Sequence, residues 1–268
     1  MKGIVLAGGL GTRLYPLTAV TNKNLLPIYD RPMIYYPIQM LVNAGIEDIL
    51  IVTGGNAAGD FLKLLGNGKM FGLKHLNFAY QEGEKGIANA LSYAEHFAAG
   101  DSVCVVLGDN IIEGNICAAA DDFRRQGKGA KIMLKKVHDP ERFGVPELNG
   151  NKVVQIEEKP KNPKTDYAVI GIYMFDSTVF EIIRGLTPSA RGEYEITDVN
   201  NTYINRNEMS WNELEGWWTD AGTFDSLYEA TKLVKTTGAN KLDLNVSPYI
   251  MNQTFIDHTE SENALITN

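Results

Sequence analysis

The sequence predicts an α/β fold, with a mostly parallel sheet flanked by helices and followed by a mixed α/β half. Apolar, β-branched runs alternate with helical patterns over the first 137 residues. The runs lack the polar alternation of strands that have one solvated face, so we expect them to be buried on both faces. Repeated strand–helix–strand units favour a parallel sheet with helices on both sides. Beyond residue 140 the pattern changes to paired strands and two helices.

The first part of the chain supplies the predicted parallel strands and their connecting helices. Five strands are predicted, at residues 3–9, 48–55, 76–81, 102–109 and 130–137. The segment "MIYYPIQMLVNAG" predicts a helix with Gly45 as its C-terminal cap. A second helix is predicted from apolar residues at helical spacing, namely Ile87, Ala90, Leu91, Ala94 and Phe97.

The later part of the chain predicts a smaller mixed layer. "GVPELNGNKVVQIEEKP" predicts two strands around a type I′ turn at Asn149 and Gly150. "YAVIGIYMFDS" predicts another strand, and helices are expected near 195–206 and 223–236. With no long linker, residues 1–240 are expected to form one domain, divided into 1–137 and 138–240. Residues 241–268 form a short polar tail.

Composition and charge exclude several classes of protein. The chain has 268 residues, a net charge of −8 and a pI of about 5.1, which argues against a nucleic-acid partner. Cys104 and Cys117 lack the spacing of zinc ligands, and Cys104 lies in an apolar run where a buried thiol is expected. Composition alone leaves a disulfide open. The apolar run at the N-terminus is too short for a signal peptide or a membrane span, so we expect a cytoplasmic protein without a membrane partner.

A glycine-rich stretch with two cations follows the first predicted strand. Gly8, Gly9 and Gly11 would let the backbone turn tightly and bring its N–H groups to an anion, and Arg13 and Lys23 add positive charge. Ligands of open parallel sheets bind at the carboxyl ends of the strands. The stretch matches neither GxGxxG nor the Walker loop, so it predicts a polyphosphate cradle of another kind. Glycines needed only for a tight turn are the alternative, which leaves the two cations unexplained.

Several motifs in one order give the chain a family resemblance. "LAGGLGTRLYPLT" and "NKNLLPIYDRPMIYYPI" are followed by "LGDNI", "DPERFGV", "EEKP", "YAVIGIY", "PSARGEYEITDVN" and "WWTDAGT". Together they resemble the sugar nucleotidyltransferases over roughly residues 1 to 235. The resemblance implies a Rossmann-like sheet of the nucleotide-diphospho-sugar transferase type, with 1–137 as nucleotide-binding core and 138–240 as sugar-phosphate-binding half. It also implies nucleotidyl transfer, in which a sugar 1-phosphate oxygen attacks the α-phosphorus of a nucleoside triphosphate and pyrophosphate leaves.

The resemblance implies that the first half of the chain binds the nucleotide. Arg13 is expected to hold the pyrophosphate leaving group in a bidentate fork, and Lys23 to contact the triphosphate. Gln81 is expected to read the pyrimidine edge, helped by the backbone of Gly86. The nucleotide-binding residues implied are Leu6, Gly8, Gly9, Gly11, Thr12, Arg13, Lys23, Gln81, Gly86 and Asp109. The chain departs from the family's "QPSPDG" with "QEGEKG", and Asn24 replaces a common glutamine, so the choice between dTTP and UTP stays open.

Two acids are the predicted ligands of Mg²⁺. Asp109 ends a buried strand, where a carboxylate suits a metal that takes few protein oxygens plus phosphates and waters. By resemblance, Asp220 in "WWTDAGT" is the second carboxylate. The alternatives are helix N-caps, for Asp109 before "IIEGN" and for Asp220 before a helix that starts near Thr223.

The second half is expected to hold the sugar phosphate. Glu158 would accept bonds from sugar hydroxyls, Lys159 and Arg191 would meet the phosphate, and Gly144 would allow close approach of the sugar. The sugar-phosphate-binding residues implied are Asn110, Gly144, Glu158, Lys159, Val169, Tyr173 and Arg191, and the catalytic residues are Arg13, Lys23 and Lys159. A solvated charge run is the alternative for "EEKP". Glu195 and Asp198 are expected to order the site, and the tryptophans could form a sugar platform or pack in the core.

The resemblance therefore implies an enzyme that makes dTDP-glucose and pyrophosphate from dTTP and glucose 1-phosphate, with Mg²⁺. The first alternative is the same chemistry with UTP or another hexose 1-phosphate. A non-catalytic nucleotide-sugar sensor is a further alternative, although Arg13, Lys23, Asp109 and Asp220 are all retained. The resemblance also implies a homo-oligomer, a dimer or a tetramer.

Overall fold

Nine strands form one mixed sheet in the computed structural model, which describes residues 1–242 except for the side chain of Asn56. The predicted tail, beyond its first two residues, lies outside the described residues. The strands of this sheet are β1 (Lys2–Ala7), β4 (Asp48–Gly54), β5 (His75–Gln81), β6 (Val103–Leu107), β8 (Ala130–Lys136), β9 (Gly144–Asn149), β10 (Lys152–Glu158), β11 (Tyr167–Phe175) and β12 (Met209–Glu213). Two small pairs accompany it, β2 (Pro27–Ile28) with β3 (Arg31–Pro32), and β7 (Asn110–Ile112) with β13 (Trp218–Asp220).

Helices cover both faces of the sheet. They are α1 (Tyr35–Asn43), α2 (Ala58–Leu65), α3 (Ile87–Ser92), α4 (Glu95–Ala98), α5 (Cys117–Gln126), α6 (Val179–Arg184), α7 (Ile196–Asn205) and α8 (Phe224–Thr237). Gly45, with a φ of 72°, follows α1 as predicted, and α7 and α8 lie where helices were expected. None of the helices in the described part of the chain has the length and apolar character needed to cross a membrane.

The parallel part of the sheet carries the glycine loop. Strands β6, β1, β4 and β5 pair in parallel in that order, so their carboxyl ends lie at one edge. The register places Leu6 beside Leu107 and Ala7 beside Thr53. Strand β11 pairs antiparallel with β6 and continues the sheet into β8, β9 and β10. The residues after β1, β5 and β6 are thereby brought together across a continuous sheet.

The core has two layers because successive strand residues point to opposite faces. On β1, Ile4 and Leu6 pack with α3, α6 and α7, whereas Val5 and Ala7 pack with α1, α2 and α5. The buried Cys104 belongs to the second layer, and Cys104 and Cys117 are not joined by a disulfide.

Four details differ from the sequence predictions. Strand β8 is antiparallel to β11. Within residues 1–242, β5 pairs with β4 alone, so it is a half-exposed edge strand rather than one buried on both faces. The predicted second helix is divided into α3 and α4, since the Ala94 N–H bonds to the Leu91 carbonyl three residues back. The hairpin turn is centred on Gly150 and Asn151, and a positive φ at Gly150 alone excludes type I′, which needs two.

Candidate active site

The glycine loop turns sharply after β1 and packs on two of the predicted site residues. A Cβ atom at Gly8 would lie 2.4 Å from the Gln81 Oε1 atom, so only glycine fits there without displacing the side chain. Gly11 has a φ of 66°, and a Cβ there would lie 2.9 Å from the Cβ of Lys23. Thr12 begins a one-turn 3₁₀ helix after Gly11. The glycines therefore make the turn and also place the loop against the side chains of Gln81 and Lys23.

Two buried asparagines, Asn22 and Asn24, hold this loop in place. The sequence alone did not indicate this role. The Asn22 Nδ2 atom donates to the Ala7 carbonyl at 3.1 Å and to the Gly9 carbonyl at 3.4 Å. The Asn22 Oδ1 atom accepts from both the backbone N–H and the Nδ2 of Asn24, each at 2.9 Å. Lys23 lies between the two asparagines, so its backbone is held in place.

Asp109 follows β6 and forms an ion pair with Lys23. The Nζ of Lys23 lies 2.5 Å from the Asp109 Oδ2, and the Asn110 Nδ2 donates to the Asp109 Oδ1 at 3.1 Å. Burial opposes ionisation of Asp109, but Lys23 and Asn110 together hold its pKa below the usual range. Residues after Asp109 form β7 rather than a helix, so its alternative as an N-cap is wrong.

Asp220 is brought beside Asp109 by the small antiparallel pair of β7 and β13. Its register partner is Asn110, and the Ala221 N–H donates to the Asp109 carbonyl at 2.9 Å. Burial and then the negative charge of Asp109 raise the pKa of Asp220 to about 6. The cap of α8 is Thr223, which bonds reciprocally with Ser226, so the N-cap alternative for Asp220 is also wrong.

The two carboxylates fit a magnesium ion. Mg²⁺ is typically held by one or two carboxylates together with substrate phosphates and waters. Asp109 and Asp220 supply two such carboxylates, both desolvated by burial, and the charge of Asp109 raises the pKa of Asp220. No cluster of three or more acidic, histidine or cysteine ligands occurs in the described part of the chain, so a closed all-protein cage is not found there.

Arg13 reaches over the same place from the glycine loop. Its side chain is exposed, and a Cβ atom at Gly222 would lie 3.1 Å from the Arg13 Nη2 and 3.6 Å from the Asp109 Oδ2. The guanidinium and the carboxylate therefore converge over Gly222. This brings the first predicted catalytic cation next to the predicted metal ligands.

The predicted sugar-phosphate residues gather around Glu158 at the end of β10. The Glu158 Oε2 accepts from the Thr197 hydroxyl at 2.5 Å, and its Oε1 from the Arg191 Nη2 at 3.3 Å. Arg191 also donates to both carboxylate oxygens of Glu195, at 3.1 and 2.8 Å. A Cβ atom at Gly144 would lie 3.5 Å from the Glu158 Oε2. Glu195 thus holds the Arg191 guanidinium in place, and its side chain does not cap α7.

Lys159 extends this cluster, and Tyr173 lies between it and Asp109, one of the two predicted metal ligands. The Lys159 Nζ lies 3.8 Å from the Glu158 Oε1, and its backbone N–H donates to the Phe143 carbonyl at 2.9 Å. Tyr173 is buried, and its pKa is raised by burial and by the charges of Glu158 and Asp109, so the ring lies within electrostatic reach of both acids.

Val169 and Asn110 complete the set of predicted sugar-phosphate residues. Val169 is buried opposite Gly144 in the sheet register. The Asn110 Oδ1 accepts from the Gly171 N–H at 3.0 Å and from the Trp218 Nε1 at 2.7 Å. Both ends of the Asn110 amide are thus bonded within the protein, and its contact with a sugar phosphate stays a prediction.

The predicted base-reading loop contacts both halves. Gly86 has a φ of 93°, and a Cβ atom there would lie 2.6 Å from the Tyr194 carbonyl. Within the same loop, the Glu84 carboxylate accepts a hydrogen bond from the Leu10 N–H of the glycine loop. Glu84 is one of the residues that depart from the family pattern, and that departure was the only sequence signal for it.

Comparison with known proteins agrees with this arrangement. Residues 2–237 match the family model described as nucleotidyl transferase. A glucose-1-phosphate thymidylyltransferase from Neisseria meningitidis is 47% identical over 240 residues, covering 88% of this chain and 83% of the relative. Its counterpart from Mycobacterium tuberculosis is 44% identical, covering 88% and 83%.

Solved structures extend the similarity to the fold. A Bacillus anthracis structure, described as a glucose-1-phosphate thymidylyltransferase in complex with a sucrose, has a TM-score of 0.85 and 50% identity. It covers 88% of this chain and 96% of the solved one. UDP-glucose pyrophosphorylase complexed with UDP-glucose shares the fold at a TM-score of 0.76 and 23% identity, over 87% and 98% of the two chains. The chain therefore belongs to the nucleotidyl transferase family, and it is similar over most of its length to glucose-1-phosphate thymidylyltransferases.

Proposed function

We propose that this enzyme transfers the thymidylyl group of dTTP to glucose 1-phosphate and releases pyrophosphate. A phosphate oxygen of the sugar phosphate forms a bond to the α-phosphorus, and the bond from that phosphorus to the pyrophosphate oxygen breaks. Because the nucleophile is already an anion, no general base is needed. The observation that supports the proposal is the convergence of the glycine loop, Arg13 and Lys23 on the carboxylate pair of Asp109 and Asp220.

The residues of the first half would bind and orient the nucleotide. The glycine-loop N–H groups and Lys23 would hold the triphosphate, and Arg13 would hold the pyrophosphate as it leaves. Gln81 would bond the base, since its buried side chain packs directly on Gly8. We therefore assign residues 1–137 as the nucleotide-binding core and 138–240 as the sugar-phosphate half.

Asp109 and Asp220 would hold Mg²⁺ between the two halves. When bound, the ion supplies Lewis-acid charge stabilisation to phosphate oxygens. The protein's own part is to keep both carboxylates in place, which it does through Lys23, Asn110 and the pairing of β7 with β13.

Glu158, Lys159 and Arg191 would bind the sugar phosphate. In the described structure Arg191 is bonded to Glu195 and Glu158, which fixes its guanidinium beside the carboxylate that Lys159 also approaches. Glu158 would accept sugar hydroxyls, while Lys159 would neutralise the attacking phosphate. The resemblance further supports a cytoplasmic homo-oligomer, which we propose together with this activity.

A pyrophosphate-release assay tests the proposal across four nucleoside triphosphates and several sugar 1-phosphates. We expect the highest turnover with dTTP and glucose 1-phosphate, because the chain is 44–47% identical to glucose-1-phosphate thymidylyltransferases over 88% of its length. Higher turnover with UTP or with another hexose 1-phosphate would contradict the substrate assignment but keep the chemistry. Nucleotide binding without pyrophosphate release from any pair would instead favour the sensor.

Removal of the Glu84 charge is expected to tighten nucleotide binding. The Glu84 carboxylate accepts the Leu10 N–H of the loop that would hold the triphosphate, so the nucleotide must displace it. We expect Glu84→Gln to lower the Kd for dTTP about threefold to fivefold, the size of an exposed ion-pair effect. Isothermal titration calorimetry measures this, with Glu82→Gln as a control for the loss of one loop charge. Equal or weaker binding by the Glu84 variant would contradict the contact's competitive role.

A further inference from the structure

One arginine forms a long ion pair with a predicted metal ligand and has no part in the roles assigned so far. Arg142 precedes Phe143 and Gly144, and its Nη2 lies 3.5 Å from the Asp220 Oδ2. Its Nη1 donates to the Asp139 Oδ2 at 2.5 Å. Asp139 thus holds the guanidinium closely, whereas the separation from Asp220 is longer than an ordinary hydrogen bond.

Aromatic contacts hold the Arg142 guanidinium near Asp220. The guanidinium carbon of Arg142 lies 5.2 Å from the Phe143 ring centroid, and Phe143 packs edge-on against Trp218 at 5.3 Å. Trp218 in turn donates to the Asn110 side chain, which bonds to Asp109. Arg142 is therefore connected to both predicted metal ligands. It forms an ion pair with Asp220, and it reaches Asp109 through the packed rings of Phe143 and Trp218 and the hydrogen bonds of Asn110.

The position of Arg142 also links it to the sugar-phosphate half. The Phe143 carbonyl accepts a hydrogen bond from the backbone N–H of Lys159. The segments that carry Arg142 and Lys159 therefore lie side by side. The Arg142 side chain is 39% exposed, compared with 18% for Asp220, so its guanidinium is the more accessible of the two groups to a ligand from solution. A cation in this position can neutralise the carboxylate or a phosphate, but the metal must compete with it for Asp220.

We propose that Arg142 is a further phosphate-binding cation of the transfer site, beside Lys159 and Arg191, and that it exchanges Asp220 for a sugar 1-phosphate oxygen when Mg²⁺ binds. The inference rests on the proposed function. Asp220 would serve as a ligand of the metal, Asp139 and Phe143 would keep the Arg142 guanidinium in place, and its freed Nη2 would donate to the phosphate. This gives Arg142 opposite effects on the two ligands, because it competes with the metal and assists the sugar phosphate.

The test compares Arg142→Met with Arg125→Met, which removes an exposed arginine from an ion pair with Asp122 on α5. Electron paramagnetic resonance measures Mn²⁺ binding to the enzyme without substrates. We expect Arg142→Met to bind Mn²⁺ about fivefold more tightly, the upper range for a partly exposed ion pair. The KM for glucose 1-phosphate is expected to rise about tenfold to 100-fold, as for a lost bond to a charged group, with the KM for dTTP unchanged. The control is expected to match the wild type in all three measurements.

Arg142→Lys is a second variant in case the methionine enzyme fails to fold, as judged by circular dichroism. Lysine keeps the charge but cannot span Asp139 and a phosphate with one planar fork. We therefore expect near-wild-type Mn²⁺ binding and an intermediate KM for glucose 1-phosphate.

Weaker Mn²⁺ binding by Arg142→Met would overturn the proposal, because the arginine would then only hold Asp220 in place. An unchanged KM for glucose 1-phosphate would overturn it as well. If the wild-type enzyme showed no transfer with any sugar phosphate, the proposed function would fail, while the Mn²⁺ comparison would still report whether Arg142 competes with the metal.

Discussion

Asp109→Asn is expected to reduce turnover by about 1,000-fold, or about 4 kcal/mol of transition-state stabilisation. Asparagine has nearly the shape of aspartate, so the packing around β6 is kept while one of two metal-binding charges is lost. Asp109 also pairs with Lys23, which would be freed from its carboxylate. The measurement is kcat for dTTP and glucose 1-phosphate at saturating Mg²⁺.

The matched control for this change is Asp121→Asn, which removes an exposed carboxylate paired with Arg124 on α5. Both variants are expected to unfold cooperatively in a thermal scan. Turnover by Asp109→Asn within about tenfold of the control would contradict the role of Asp109 as a metal ligand, since one such ligand supplies several kcal/mol.

Arg13→Met is expected to lower kcat by about 100-fold to 1,000-fold, the range seen when one donor to developing charge is removed. The pyrophosphate gains charge as it leaves, so the interaction is stronger in the transition state than in the bound substrate. The loss is therefore expected in kcat more than in the KM for dTTP. Steady-state kinetics with varied dTTP separate the two parameters.

Two further variants sharpen the test of Arg13. Arg13→Lys is expected to recover part of the loss, because lysine keeps the charge but not the bidentate fork. Arg184→Met, which removes an exposed arginine paired with Glu95, is expected to behave as wild type. If Arg13→Met raised the KM for dTTP and left kcat unchanged, Arg13 would bind the ground state rather than the leaving group.

The local part of the site could be predicted from the sequence. Gly8, Gly11 and Arg13 lie in one short stretch after a clear apolar strand, and Asp109 ends another. In both cases an apolar run immediately before the site residues predicts a strand. Because ligands bind at the carboxyl ends of such strands, the place of these residues in the fold could be predicted.

The partners of these residues were not predictable in the same way. Asp220 lies beside Asp109 because β7 and β13 pair, and strands of three residues are too short to show a periodic pattern. Its assignment as a metal ligand came from family resemblance alone. The hydrogen bonds of Asn22 to the glycine loop and the ion pair of Arg142 with Asp220 are tertiary contacts. A local sequence pattern does not indicate them.

The same limit applies to the sheet. The alternation of strands and helices predicted the parallel strands, but the antiparallel insertion of β11 between β6 and β8 is set by long-range pairing. The exposed face of β5 likewise follows from its place at the edge, which the apolar run itself did not reveal.

A crystal structure of the enzyme with Mg²⁺, glucose 1-phosphate and a non-reactive dTTP analogue tests the central claim most directly. The account predicts the triphosphate on the Gly8–Gly11 loop within reach of Arg13, and one ion that contacts both Asp109 and Asp220. Phosphates bound at another place, or carboxylates too far apart to share an ion, would contradict it.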